Sequence, residues 1–164
     1  MIRYEEVTMR VAKIVVVACL VACGGKPEAN ESGPKGLTAG EGCIRDANLV
    51  GDPPEDAPEQ IDVVQILIKH DGVKGAVQEG VTRNREDACL RATEARAVVL
   101  SQSDWDGAYQ EYSDDQGPSK GVIQGLKRGG YDDAFSNAAF AAGVNEVAHV
   151  VETKRGFHVI VRTH

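Results

Sequence analysis

Aromatic side chains are scarce: three Phe, four Tyr and one Trp make up 5% of 164 residues. A core must therefore be built from Val, Ile, Leu and Ala. Positive charge is short as well, with 18 Lys and Arg against 25 Asp and Glu and a formal net charge of −7. A nucleic-acid binder needs clustered Lys and Arg to displace counterions from phosphates, and no such cluster stands in the chain. Four cysteines occur, none in a CxxC pair or in Cys/His spacing, which argues against a metal or redox centre. No apolar run approaches the roughly 20 residues that a bilayer-crossing helix requires. What remains is the composition of an ordinary globular protein, 42% hydrophobic and 26% charged, with room for one domain and some extra chain.

The N-terminal part reads as an address. Residues 14–22 (IVVVACLVA) form an apolar run of signal-peptide length, preceded by Arg10 and Lys13 and followed by Cys23. Residues 20–23 (LVAC) have the form of a lipobox, in which small residues admit a signal peptidase and the cysteine thiol takes up a diacylglycerol. Residues 1–22 would then be the signal peptide and Cys23 a lipidated first residue. A secreted chain cleaved without lipid and an uncleaved apolar segment are the other readings. A start at Met9 would remove Glu5 and Glu6 from a segment that should be basic. The expected location is the cell envelope, lipid-anchored and facing the periplasm. Gly24, where an acidic residue would accompany inner-membrane retention, points to the outer membrane of a Gram-negative host.

Residues 23–60 are rich in Gly, Pro, Glu, Asp and Ser, and their few apolar residues cannot offset the entropy of ordering them. They read as a flexible tether. An oxidising envelope permits a disulfide between Cys43 and Cys89, although one lies in this tether and the other in an expected helix.

The folded domain is expected over residues 61–164. Residues 62–70 (DVVQILIKH) have the β-branched character of a strand, and a glycine-containing loop follows. Thr82 or Asn84 can cap a helix running to about residue 101, with Glu86 and Asp87 in its first turn. Its buried face would be Ala88, Ala92, Ala95 and Val99. Ser103 with Asp106 resembles a capping box for a short helix through Trp105 and Tyr112. A strand over 122–127, a helix over 132–142 and two strands over 148–153 and 157–163, joined as a hairpin by residues 154–156, complete the order. Mixed elements closed by an antiparallel pair indicate an α+β domain with helices around one sheet.

That order accompanies specific words: ILIKH at 66–70, YSDD at 112–115, RGG followed by an acidic helix and AFAAG within 128–143, and GFHVIVRTH at 156–164. Together they resemble the parvulin family of peptidyl-prolyl cis/trans isomerases over residues 63–164. The resemblance implies an FKBP-like α+β fold with a four-stranded antiparallel sheet surrounded by helices. The chemistry of such a domain is spare, because the two isomers of an X–Pro bond are nearly isoenergetic and separated by a barrier of ~18–20 kcal/mol from amide resonance. An apolar seat for the proline ring and polar groups suited to the twisted amide are enough. No cofactor or metal is required.

Carried over by position, the proline seat would be Ile123, Tyr131 and Phe135, with Tyr131 where many relatives have Met. From spacing alone each reads as ordinary core packing, and it is the resemblance that makes it a site candidate. The polar set would be His70, Asp115 and His158, with Thr153 as a hydrogen-bond partner of His158. By strand alternation His158 shares a face with Ile160 and Arg162 rather than with the more obvious core side. Gln65 stands where relatives commonly have a second histidine; it offers hydrogen bonds but no imidazole pair. Residues 121–125 (GVIQG) replace the family's usual Gly-Asp-Leu-Gly, so the strand leading to the pocket should bend differently. The loop after the first strand carries Asp71, Lys74 and Glu79 but no adjacent arginines, which argues against phosphopeptide recognition there. The expected activity is isomerisation of X–Pro bonds in exported envelope proteins by a monomer whose partners are unfolded or proline-containing polypeptides. A catalytically weak module that binds peptides is the alternative suggested by Gln65, and a purely structural lipoprotein domain is a third.

Overall fold

The structure, a computed structural model, describes residues 36–164, which fall in one unit of the chain. The segments expected to be a signal peptide and the first part of a tether, with the expected lipid site at Cys23, lie outside the described residues. Eight elements follow in order: α1 (Ala39–Ala47), β1 (Gln60–Ile68), α2 (Arg85–Gln102), α3 (Trp105–Tyr112), β2 (Val122–Lys127), α4 (Asp133–Ala141), β3 (Val151–Thr153) and β4 (Gly156–Arg162). The four strands form one antiparallel sheet in the order β2-β1-β4-β3, as the α+β reading anticipates.

Strand alternation divides the core into two. Ile66, Ile68, Phe157 and Val159 face α2 and α3 and pack on Ala88, Cys89, Ala92, Ala95 and Tyr109. Ile61, Val63 and Ile160 face α4 and pack on Phe135, Ala138, Ala139 and Phe140. Both faces of the central strands are thus buried: His158 does share a face with Ile160, as alternation anticipates, but that face is a second core rather than a less buried side. His158 lies on the α4 side and is only 3% exposed.

The helices begin where side chains satisfy their first free N–H groups. Asn84 accepts from Asp87 N–H at 2.8 Å to start α2. That helix stops at Ser103, which adopts the left-handed conformation (φ 53°). Ser103 is therefore spent on ending α2, and Asp104, not Ser103, caps α3 by accepting from Gly107 N–H at 3.0 Å. Asp132 caps α4. Strand β3 is shorter than the expected 148–153. The carbonyls of Val147 and Ala148 accept from the Arg96 guanidinium at 3.3 and 2.7 Å instead of joining a ladder.

The largest departure from the sequence reading is within residues 23–60. From residue 36 onward this segment belongs to the folded unit rather than to a free tether. Thr38 and Glu41 form a reciprocal capping box that starts α1. A disulfide joins Cys43 to Cys89 of α2, the two Cα atoms 6.0 Å apart. At the far end of α1, Asn48 donates to Glu152 of β3 at 2.7 Å, and the same carboxylate takes two bonds of 2.6 Å from Arg85. Arg128 then holds residues 54 and 57 by their carbonyls. A nine-residue helix of this composition would not persist alone in water; covalent and polar attachments hold it.

Glycine matters most at Gly121 (φ +76°), where a Cβ would stand 2.0 Å from the Gln65 carbonyl oxygen. Gln65 N–H donates to the Gly121 carbonyl at 2.9 Å, so β2 enters the sheet directly against Gln65. Further along, the β1–β2 register shifts between Ile61 and Val63, a bulge at which Asp62 accepts from Gly125 N–H at 2.7 Å. This bulge gives the strand leading to the pocket its own bend.

Two outcomes follow. Replacing Cys43 and Cys89 by Ser should lower stability by about 2–4 kcal/mol, read as a lower urea midpoint that reductant no longer changes. Gly121→Ala should destabilise by at least about 2 kcal/mol, with loss of amide-exchange protection spreading from Gln65 along β1 rather than from α1.

Candidate active site

On the α4 side of the sheet a cavity of about 370 Å³ is lined by Gln65, Tyr131, Asp132, Phe135, Thr153, Lys154, Arg155 and His158. Its apolar wall is Phe135, 2% exposed, with Tyr131 stacked on it at 5.5 Å between ring centroids. Tyr131 is 46% exposed and forms the rim. The α4 start brings these two rings together, four residues apart across the Asp132 cap.

The polar wall is a chain of hydrogen bonds across three strands. His158 pairs with Leu67 and Gln65 with Ile160 in the β1–β4 ladder, so Gln65 and His158 are diagonal neighbours on one face. His158 Nδ1 lies 2.8 Å from Gln65 Oε1, and His158 Nε2 lies 2.8 Å from Thr153 Oγ1. Thr153 Oγ1 also accepts from Arg155 N–H at 3.1 Å. An amide oxygen can only accept, so Nδ1 carries the proton and Nε2 takes the Thr153 hydroxyl proton. One tautomer and one direction satisfy the whole chain. The Phe135 ring meets the imidazole edge-on at 5.1 Å and fixes its plane.

Burial, aided by the positive Arg155 nearby, pushes the His158 pKa down to about 3. The imidazole is therefore neutral through the physiological range. With both of its nitrogens engaged inside the protein, His158 holds Gln65 and Thr153 in place. The Gln65 amide nitrogen has no protein partner among the described residues and carries the donors of this wall.

The sequence-derived candidates separate. Gln65, Thr153, His158, Tyr131 and Phe135 come together around the cavity. Ile123 packs at the margin of the same apolar cluster as Phe135 but does not line the cavity. The Asp115 carboxylate reaches the rim only through Arg155, 3.8 Å away, while its carbonyl accepts from the Tyr109 hydroxyl. Asp114, beside it, instead caps the end of β1 through Lys69 N–H at 2.7 Å and pairs with Arg83. His70 stands apart: its Nδ1 accepts from Gly72 N–H at 3.1 Å and its ring lies 6.2 Å from Phe157, which belongs to the α2-side core. Sequence reasoning did not single out Asp132, Lys154 and Arg155. Their adjacency to Tyr131 and Thr153 was the only available signal.

A neutral buried histidine makes stability pH-dependent. The unfolded chain takes up a proton near pH 6.5, whereas the folded one resists until about pH 3. The contribution is thus fully present above pH 6.5 and declines as pH falls towards 3, by up to about 1.4 kcal/mol per pH unit. His149, also pushed down by burial and Arg96, acts in the same sense. Urea midpoints between pH 7 and pH 5 should therefore fall less steeply in His158→Asn than in the wild type.

Comparison with known proteins supplies the family and agrees with the fold. Residues 53–163 match the family model described as PPIC-type PPIASE domain. The peptidyl-prolyl cis-trans isomerase Pin1 of Malus domestica is 32% identical over 118 residues, 65% of this chain and 96% of that protein. The foldase protein PrsA of Bacillus subtilis is 43% identical over 56 residues, which are 33% of this chain and only 19% of that protein. Among solved structures, the peptidyl-prolyl isomerase ESS1 from Candida albicans superimposes with a TM-score of 0.57 at 25% identity, covering 68% of this chain and 66% of that one. With a family model matching residues 53–163 and the fold in agreement, the chain belongs to the PpiC-type, or parvulin, family of peptidyl-prolyl cis/trans isomerases.

Proposed function

We propose that this domain isomerises X–Pro bonds of exported polypeptides, using Gln65 where an imidazole would otherwise stand. The observation that carries the reading is the chain Thr153–His158–Gln65 set against the Phe135–Tyr131 wall. The proline ring seats on Phe135 and Tyr131, which leaves the X–Pro amide beside the polar wall. As the amide twists, resonance is lost and the proline nitrogen gains a lone pair able to accept a hydrogen bond. A donor on Gln65 meets that lone pair, which the planar amide does not offer, so the interaction favours the transition state over either isomer. His158 and Thr153 are positioning residues, because their polar atoms are spent on holding Gln65. Asp115 acts through Arg155 on the electrostatics of the rim. No nucleophile takes part. His70 supports the end of β1 and takes no part in the reaction.

The cellular setting is the envelope, with Cys23 as the lipid anchor and exported proteins as clients. Three observations support this: the lipobox-like residues 20–23, the Cys43–Cys89 disulfide, which persists in oxidising compartments, and the likeness to a protein named a foldase. Mass spectrometry of the mature protein should find Cys23 as the first residue carrying a diacylglycerol; an unmodified thiol there removes the anchor from the proposal.

NMR exchange spectroscopy on an Ala-Xaa-Pro-Phe peptide tests the activity. The wild type should accelerate cis/trans exchange, and Gln65→Leu should lose roughly tenfold, the worth of one hydrogen bond of about 1.4 kcal/mol. His158→Ala, which frees the Gln65 side chain, should lose at least as much. Unchanged exchange with shifted peptide resonances would instead identify a module that binds proline peptides without turning them over, the reading that the missing second histidine favours.

A further inference from the structure

Two cations stand at the cavity without a role in the chain of hydrogen bonds. Lys154 and Arg155 form the turn of the β3–β4 hairpin, and both line the cavity beside Thr153. The turn is held firmly. Arg155 N–H donates to Thr153 Oγ1, and at Gly156 (φ +128°) a Cβ would stand 2.4 Å from the Ile68 carbonyl oxygen, so the hairpin lies tight against the end of β1. The charged ends are freer. Arg155 has one ion-pair partner among the described residues, Asp115, at 3.8 Å and beyond hydrogen-bond range, with the two side chains 60% and 44% exposed. Lys154 has no ion pair among the described residues.

Other cations near this end of the sheet are occupied: Lys69 pairs with Glu79, and Arg83 binds the Asp114 carboxylate and the Lys69 carbonyl. Of the two carboxylates around the cavity, Asp132 is committed to Ala134 N–H as a helix cap. Asp115 is the one that faces Arg155. A second carboxylate can displace so loose a contact at little cost.

We infer that the Lys154–Arg155 turn is an anion subsite that selects peptides with an acidic side chain immediately before proline. The inference rests on the proline-peptide reading of the cavity. Lys154 and Arg155 line the cavity next to Thr153 and His158, so we set the proline ring on Phe135 and Tyr131, the amide beside Gln65, and the side chain preceding proline over the turn. Attraction there falls on the bound peptide whether or not it is turned over, so it changes affinity as well as rate. A carboxylate and a phosphate offer the turn the same chemistry.

The test compares four peptides, Ala-Glu-Pro-Phe, Ala-phosphoSer-Pro-Phe, Ala-Leu-Pro-Phe and Ala-Lys-Pro-Phe. It measures exchange acceleration over a protein-free blank and affinity by chemical-shift titration, at low salt and at about 0.5 M salt. The Glu peptide should bind and exchange roughly three- to tenfold better than the Lys peptide, with the ratio shrinking towards one in high salt. Arg155→Glu and the double change Lys154→Ala with Arg155→Ala keep the hairpin, and should respectively invert and abolish the ratio. A phosphoserine peptide that exceeds the Glu peptide assigns the subsite to phosphate, and equality assigns it to charge alone; either supports the inference. Equal affinities for all four peptides, or a ratio that survives Arg155→Glu, would overturn it. Absence of acceleration for every peptide defeats the isomerase reading instead, while the affinity ratio still decides the subsite.

Discussion

The antiparallel pairing of β1 with β4 is the constraint on which the molecule depends. It joins residues 93 apart in sequence, Gln65 and His158, and it buries both faces of the two strands. A strand buried on both sides has no tolerance for slippage, because a shift of one residue would exchange the α2-side and α4-side cores. The same lack of tolerance places a polar diagonal, Gln65 to His158, inside an otherwise apolar layer. A buried polar pair survives there because both His158 nitrogens and Gln65 Oε1 are hydrogen-bonded, leaving only the Gln65 amide nitrogen to the cavity.

The two layers divide the labour. On the α2 side, alanines and Cys89 let the helix approach the sheet closely, and α1, the disulfide and the Glu152 cluster close that side against solvent. The α4 side packs Phe135 and Phe140 against the sheet and leaves a cavity at one end, where α4 begins and the β3–β4 hairpin turns. Burial holds the Glu152 carboxyl back from ionising, but its bonds to Arg85 and Asn48 prevail and its pKa lies below the ordinary value. A charged cluster thus fastens the closed side and a neutral chain organises the open one.

Glutamine in place of a second imidazole has a structural consequence beyond the loss of a titrating group. Its amide oxygen admits one proton on Nδ1 and so selects a single histidine tautomer. The wall then presents a fixed polarity, from the Arg155 backbone through Thr153 and His158 to Gln65. The chemistry proposed for it depends on this order being preset before a peptide arrives, which is how a site without a nucleophile or metal can still favour a twisted amide.

Local signals in the chain determined the elements that local physics controls. The β-branched run of β1, the Asn84 cap and small-residue face of α2, the Asp132 start of α4 and the hairpin ending in residues 156–164 are each written within a few neighbouring residues. The words shared with parvulins placed Tyr131, Phe135 and His158 at the cavity, and the correspondence they set carried Gln65 and Thr153 by position. What distant chain must supply could be decided only by the tertiary structure. Helix α1 is too short and polar to announce itself and exists through Cys89, Glu152 and its cap. His70 and His158 look alike in sequence, yet β1–β4 register and sheet face set one beside Phe157 and the other in the cavity wall. Lys154 and Arg155 read as ordinary turn residues until the hairpin is folded against the end of β1, because a side chain's function depends on what the fold brings within a few ångströms of it.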